Sequence, residues 1–205
     1  MKLGDFNFSR FKQLLDLNST IIEIGSNNGE TTKKFLKMFP DSKIYCFEPD
    51  NRAISEFEKQ KFPKNVSLFK GAVSDLDGNA KIYLSEDSQD IWNGSSSLSI
   101  PKFHKLIYPN ISFGQEDEIP TIRLDTFMEQ NKIERVGLLW VDVQGLEYQI
   151  LSSNVKILEK IQYIYLEYSI FKLYENNRKL KDFKKLLKSH QVYELYQNDV
   201  LFKRI

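Results

Sequence analysis

Four acids and two glycines stand at spacings that can hold and use a positively charged nucleoside: Glu23, Gly25, Gly29, Glu48, Asp142 and Glu167. The run at 20–29, Thr-Ile-Ile-Glu-Ile-Gly-Ser-Asn-Asn-Gly, reads as a buried strand, a glycine-bearing turn and the start of a helix. The run at 44–49, Ile-Tyr-Cys-Phe-Glu-Pro, reads as a second strand ending in a carboxylate. Glycines let backbone approach a ligand closely, and a carboxylate about 20 residues further on can accept hydrogen bonds from both ribose hydroxyls. A dinucleotide site wants G-x-G-x-x-G, whereas this chain has Glu23-x-Gly25-x-x-x-Gly29. The extra acid at Glu23 suits a cationic ligand better than a pyrophosphate. The expected ligand is S-adenosylmethionine, and the expected activity is methyl transfer.

Each residue then has an expected place. Gly25 and Gly29 carry the turn beside the methionine part of the ligand, with Glu23 near its cationic end. Ser26 and Asn27 lie in the same turn, where Asn27 can bond the ligand or simply stabilise the backbone. Glu48 and Pro49 end the second strand, with Glu48 on the ribose. Ala72 and Val73 follow the third strand, where their backbone can meet the adenine edge; Asp75 can reach the exocyclic amine or serve the turn.

Asp142 ends a later strand, at the mouth of the cleft in an open parallel sheet. An aliphatic hydroxyl is a poor nucleophile at neutral pH, so a base or a metal must help remove its proton. Asp142 can be that base, a metal ligand, or a holder of the ligand's amino group. Glu167 ends the next strand, and the two acids together can bind magnesium. Alternatively, Glu167 partners a nearby Lys or Arg. His104 is a further candidate base, with Lys102 and Lys105 beside it, or a surface residue. His190 reads as structural or exposed. Trp92 and Tyr108 can stack on a sugar face, and Ser96 or Ser97 can bond its hydroxyls.

The elements that must position these groups alternate. Strands are expected over 20–24, 43–47 and 66–70, with helices over 30–38 and 51–61 between them. A short amphipathic helix capped by Ser9 precedes the first strand, with Phe11, Leu14 and Leu15 on its apolar side. Strands follow at 80–84 and 119–124, and Asp125 caps a helix over 126–130. A buried strand covers 137–142, a helix starts near 146, and another strand covers 161–167. A helix over 180–189 leads into a hairpin of 192–196 and 200–205 around Asn198-Asp199. This order predicts an α/β fold of the Rossmann-like methyltransferase kind: a mostly parallel seven-stranded sheet, helices on both faces, and a C-terminal antiparallel hairpin. Residues 85–119 show no clear period and are expected to form a substrate loop or lid within a single domain covering 1–205.

Composition narrows the classes. The 205 residues suffice for one α/β domain, and 29 basic against 28 acidic residues give a formal charge of +1. That balance gives no broad footprint for nucleic acid, and Lys179, Lys181, Lys184, Lys185 and Lys188 read as a solvated helix face. The single Cys46 cannot form an internal disulfide and is expected to pack as a small hydrophobe. No signal peptide or membrane span is evident, and a cytoplasmic location is expected.

The same residues resemble the FkbM family of S-adenosylmethionine-dependent methyltransferases. The match rests on Glu23-Ile-Gly-Ser-Asn-Asn-Gly29, Phe47-Glu-Pro49, Gly71-Ala-Val73, Leu124-Asp125 and Val141-Asp-Val-Gln-Gly-Leu-Glu147. Gln144 stands where the family commonly has Glu, and Ser26 where Ala is common. The resemblance implies O-methylation of a hydroxyl on a sugar, glycan or glycosylated small molecule. The competing readings are a methyltransferase of protein or nucleic acid and a cofactor-binding module without turnover. A nicotinamide-dependent dehydrogenase fails on the glycine spacing.

Overall fold

The computed structural model describes residues 8–87, 96–98, 111–168 and 178–205. Its centre is a pair of parallel strands, β1 (Ile21–Ile24) and β7 (Val136–Val141), in which every residue is buried. Strands buried on both faces carry continuous apolar runs rather than an alternation, which β7 shows throughout and β1 shows apart from Glu23. β1 also pairs in parallel with β2 (Ile44–Glu48), β2 with β3 (Val66–Lys70), and β7 with β8 (Ile161–Glu167). β10 (Asp199–Arg204) runs antiparallel to β8 and to the edge strand β9 (His190–Leu195). The resulting seven-stranded order is β3-β2-β1-β7-β8-β10-β9, the mostly parallel sheet and closing hairpin that the sequence predicts.

Because side chains alternate across a strand, the sheet divides its apolar residues between two layers. Ile22, Ile24, Phe47, Leu139 and Val141 face a core closed by α3 (Leu124–Gln130), α4 (Glu147–Ser153), α5 (Val155–Leu158) and α6 (Leu180–Leu186). Ile21, Ile44, Cys46, Leu138 and Trp140 face the other layer, where α1 (Glu30–Met38) and α2 (Asn51–Lys59) contribute Phe35 and Phe57. The outer lysines at 181, 184, 185 and 188 are exposed, as a solvated face should be.

Three expectations are corrected. The N-terminal element is a 3-10 helix, Phe8–Gln13, which begins before Ser9; one short turn suffices to bury Phe11 and Leu15 against the second core. Asp125 lies inside the first turn of α3, where its carboxylate accepts from Thr126 N and from Arg123, rather than capping the helix from outside. Both ends of 85–119 are regular, at 85–87 and 111–119: β5 (Gly78–Asp87) and β6 (Ile111–Arg123) form a long antiparallel ribbon, with β4 (Ala72–Ser74) parallel to β6. Part of that ribbon faces solvent, with Lys81 paired to Glu116 at 3.1 Å, so its sequence lacks the apolar period of a buried strand.

β1 is the point where strand order reverses, β2 lying on one side and β7 on the other. A crevice opens at the carboxyl ends of the strands at such a reversal. Gly25 fits there by having no side chain: its φ is 87°, and a Cβ would stand 1.8 Å from the carbonyl oxygen of Asp142. Gly25→Ala is therefore expected to lose at least about 3 kcal/mol of stability, because both the backbone angle and the contact must change. Urea unfolding measures this; a variant within about 1 kcal/mol of the parent would contradict the packing described.

Candidate active site

The crevice is lined by Gly25 and Asn27 from the first turn, Glu48 and Pro49 after β2, and Asp142 and Gln144 after β7. Ile24, Phe47, Val143 and Leu146 make its apolar floor, while Ala72, Val73 and the segment 96–98 close one side. Most of the residues assigned to the cofactor by sequence therefore come together. Three do not line it. Ser26 is buried, with its hydroxyl 3.4 Å from the carbonyl of Phe47. Gly29 begins α1, and a Cβ there would meet Phe62 at 2.8 Å and Phe57 at 3.0 Å, so its glycine is required by protein packing.

Glu23 is the third. It lies on the α1 side of the sheet with no exposure, and its Oε2 accepts from the Thr32 hydroxyl at 2.6 Å and from the Cys46 thiol at 3.7 Å. Its Oε1 has no hydrogen-bond partner among the described residues. Burial pushes its pKa up to about 8, only partly offset by Thr32 and Cys46. The placement at the cationic end of a ligand is thus corrected: Glu23 fastens β1 to the first turn of α1, beneath the crevice. Cys46 is buried as expected, its thiol pushed up by burial and by Glu23.

Glu48 is almost wholly buried and spends one lone pair of each oxygen on the backbone. Its Oε2 accepts from Asn27 N at 2.7 Å and Oε1 from Asp50 N at 2.9 Å. Each oxygen keeps a second lone pair, the number needed for two vicinal hydroxyls. Burial raises its pKa to about 7 against those two amide contacts. Asp142 follows β7, reachable by solvent yet crowded by protein, and burial raises its pKa while a hydrogen bond from Gln144 Nε2 to Oδ1, 3.0 Å, lowers it.

Glu167 ends β8 and does not line the crevice; it pairs in register with Asp199. Its pKa is pushed up to about 8, by burial first and then by the charges of Asp142, Glu147 and Asp199. Among the described residues the charges that act on it are all acidic, and no Lys or Arg partner is found there. Nor do Asp142 and Glu167 complete a magnesium site: among the described residues no three His, Cys, Asp or Glu side chains are arranged to hold a metal. His104, Trp92 and Tyr108 lie outside the described residues. His190 is structural, its ring 3.0 Å from both the Ser189 hydroxyl and the Ile161 carbonyl. Asp75 serves its turn, accepting from the Ser74 hydroxyl at 3.0 Å.

Sequence reading overlooked a polar node beside the crevice. Asp50, capping α2 through Arg52 N, also holds the Arg52 guanidinium at 2.6 Å and the Ser96 hydroxyl at 3.0 Å. Arg52 reaches the Ser85 carbonyl as well, at 3.1 Å. Ser97 donates to the Gln144 carbonyl at 2.8 Å. The two serines thus fasten 96–98 across the crevice instead of offering free hydroxyls to a sugar. Only the helix-cap signal, Asp before a helix, was available in advance.

A seven-stranded sheet of this order, with a crevice at the ends of β2, β1 and β7, defines a Rossmann-like methyltransferase. The model of the methyltransferase FkbM domain matches residues 23–195, and the chain belongs to that family. It is 32% identical to the 2-O-methyltransferase NoeI of Sinorhizobium fredii, over 89% of this chain and 78% of that protein. It is 25% identical to Methyltransferase 1 of Beauveria bassiana, over 65% of this chain and 57% of that one. Among solved structures, the methyltransferase FkbM of Methylobacillus flagellatus superposes with a TM-score of 0.57 at 10% identity, covering 91% of this chain; this chain spans 44% of it. A putative rRNA-methylase of Clostridium thermocellum gives 0.51 at 11% identity, with 97% and 93% covered. These last two share the fold. The protein is a methyltransferase, and no described helix is long and apolar enough to cross a membrane.

The buried acids make stability depend on pH. Glu23, Glu48, Glu147 and Glu167 titrate at about 8, 7, 7 and 8 when folded, against an ordinary 4.5. Between those values the folded chain binds more protons than the unfolded one, so stability falls as pH rises through the window. His190, lowered by burial, opposes this with a single group. The ligand-free protein is expected to melt at a higher temperature at pH 5.5 than at pH 8, with a shallower slope in Glu23→Gln. A melting temperature that rises across that interval would refute the assignment.

Proposed function

We propose that the chain transfers the methyl group of S-adenosylmethionine to a hydroxyl of a sugar or a glycosylated small molecule, with Asp142 as the acceptor's base. The observation that carries this reading is the placement of Glu48 and Asp142 on either side of Gly25, along one crevice. The residues suit such a donor. Glu48 keeps acceptor capacity for the ribose, Pro49, Ala72 and Val73 offer an apolar wall for the base, and acids around Asp142 favour a cation. The name of the NoeI relative supports an oxygen acceptor, at a 2-hydroxyl.

Bound there, the donor supplies an electrophilic methyl carbon on a positively charged sulfur. The chain's own work is orientation and proton removal. Asp142 accepts a hydrogen bond from the acceptor hydroxyl and takes its proton as the oxygen–carbon bond forms and the carbon–sulfur bond breaks. The products are a methyl ether, S-adenosylhomocysteine and protonated Asp142, which returns its proton to water. Crowding raises the pKa of Asp142, making its ionised form the stronger base.

Labelled S-adenosylmethionine incubated with candidate nucleotide sugars and glycans tests the reading. Asp142→Asn is expected to lower kcat about 10²–10⁴-fold while S-adenosylhomocysteine binding changes little. Glu48→Ala is expected to weaken that binding about 10-fold or more. Because Glu48 must be ionised to accept from both hydroxyls, affinity should rise as pH passes about 7, and Glu48→Gln should flatten that rise. Equal loss of binding in both variants would remove Asp142 from the chemistry, and absence of donor binding by calorimetry would remove the function.

A further inference from the structure

The loop between β7 and α4 is built around one side chain that the chemistry above does not use. Gln144 has φ 54° and Gly145 has φ 106°, two successive residues in the left-handed region. Gln144 has a Cβ, so its conformation is held by contacts rather than preference. Those contacts are present. The buried carboxylate of Glu147 accepts from Gly145 N through both oxygens at 3.1 Å, and from Val143 N at 3.3 Å. The Ser97 hydroxyl donates to the Gln144 carbonyl at 2.8 Å. Glu147 and Ser97 fix the backbone, and the fixed backbone sends the Gln144 amide back onto Asp142 Oδ1 at 3.0 Å.

We propose that Gln144 is a positioning residue that holds the Asp142 carboxylate in one orientation toward the acceptor, leaving the second oxygen to receive the proton. This rests on the reading of Asp142 as the acceptor's base. Among the described residues, Gln144 is the one side chain that donates to Asp142. Among the described residues, the groups electrostatically coupled to Asp142 are Glu23, Glu48, Glu147, Tyr165, Glu167 and Asp199, none of them a cation. A carboxylate among like charges has every reason to rotate toward water, and a neutral amide donor opposes that without adding charge of either sign. In this chain position 144 supplies that donor; the Glu common there in the family can donate to Asp142 only when protonated, and as a carboxylate at the same 3.0 Å it would repel it. The tie from Ser97 to the Gln144 carbonyl further means that the segment across the crevice and the orientation of the base are set together.

Gln144→Gly isolates the side chain, because glycine adopts φ 54° without strain and leaves the loop intact. Its melting temperature is expected to equal or exceed the parent's, with S-adenosylhomocysteine affinity within about twofold. Its kcat is expected to fall about 10-fold, the loss typical of a charge-assisted hydrogen bond. Gln144→Glu, which keeps the shape and adds charge, is expected to lose more kcat than Gln144→Gly. A readout independent of turnover is the ¹³C carboxyl signal of Asp142 at fixed pH, assigned with Asp142→Asn. It should move in both variants, in proportion to the kcat loss. An unmoved signal in Gln144→Gly overturns the proposal whatever the acceptor proves to be, and a moved signal with parental kcat overturns it as well. Failure of the parent to transfer methyl to any acceptor counts against the function, while the carboxyl signal still decides whether Gln144 positions Asp142.

Discussion

The site depends on how closely the turn after β1 approaches the end of β7. Gly25 and the Asp142 carbonyl share space that one additional carbon would fill, 1.8 Å from that oxygen. Because they touch, the loop that carries Asp142 is docked directly on the turn that carries Asn27. Asn27 in turn donates its amide to Glu48, 2.7 Å away on the neighbouring strand. Three loops from three strands thus become one rigid rim, with no side chain inserted between the first and the last. The loop that carries Glu48 and the loop that carries Asp142 are thus mechanically joined at a glycine.

Two carboxylates stiffen that rim by capturing backbone amides. Glu48 takes those of Asn27 and Asp50, and Glu147 takes those of Val143 and Gly145. Both are buried, and burying a carboxylate is costly unless its oxygens are hydrogen-bonded. The amides meet part of that cost and gain a fixed geometry in exchange. The difference between the two acids lies in position. Glu48 lines the crevice and has lone pairs to spare for a ligand, while Glu147 sits behind the loop and shapes it. A motif acid can therefore be essential in either way, and spacing alone does not separate the two.

This explains what could be read in advance. The sheet, its helices and the closing hairpin were legible because buried parallel strands carry unbroken apolar runs, as in Val136–Val141. Glu48, Asn27 and Asp142 were legible because they end such runs at the reversal point. Glu23 misled because its spacing from Gly25 points to the ligand, whereas strand parity puts residues 21 and 23 on the face opposite 22 and 24 and sends its side chain under α1. Of the ribbon, 80–84 and 119–124 were legible, where Ile82, Leu84 and Ile119 turn to the core; its extension through 85–87 and 111–118 was not, because charged and polar residues such as Glu116, Asp117 and Glu118 carry little apolar alternation. The Asp50–Arg52–Ser96 node was hidden for another reason: it joins residues far apart in the chain, and polar side chains carry no period at all.

The gathering of acids raises the question of what keeps them there. Among the described residues the charges acting on Glu167 and Asp199 are all negative, and each group is pushed toward its protonated form. In the ligand-free protein, protons are the available counter-charge, and the shared burden falls on the groups that titrate highest, Glu23 and Glu167. A cation entering the crevice would relieve Glu48 and Asp142 directly and Glu167 at longer range, so protons should leave as it binds. The same relief would favour the carboxylate form of Asp142, the form that the proposed proton removal requires. With Asp142 as the base proposed above, charge that is unfavourable in the empty protein would become the means by which donor binding readies it, and the neutral amide of Gln144 would let this happen without supplying a competing cation.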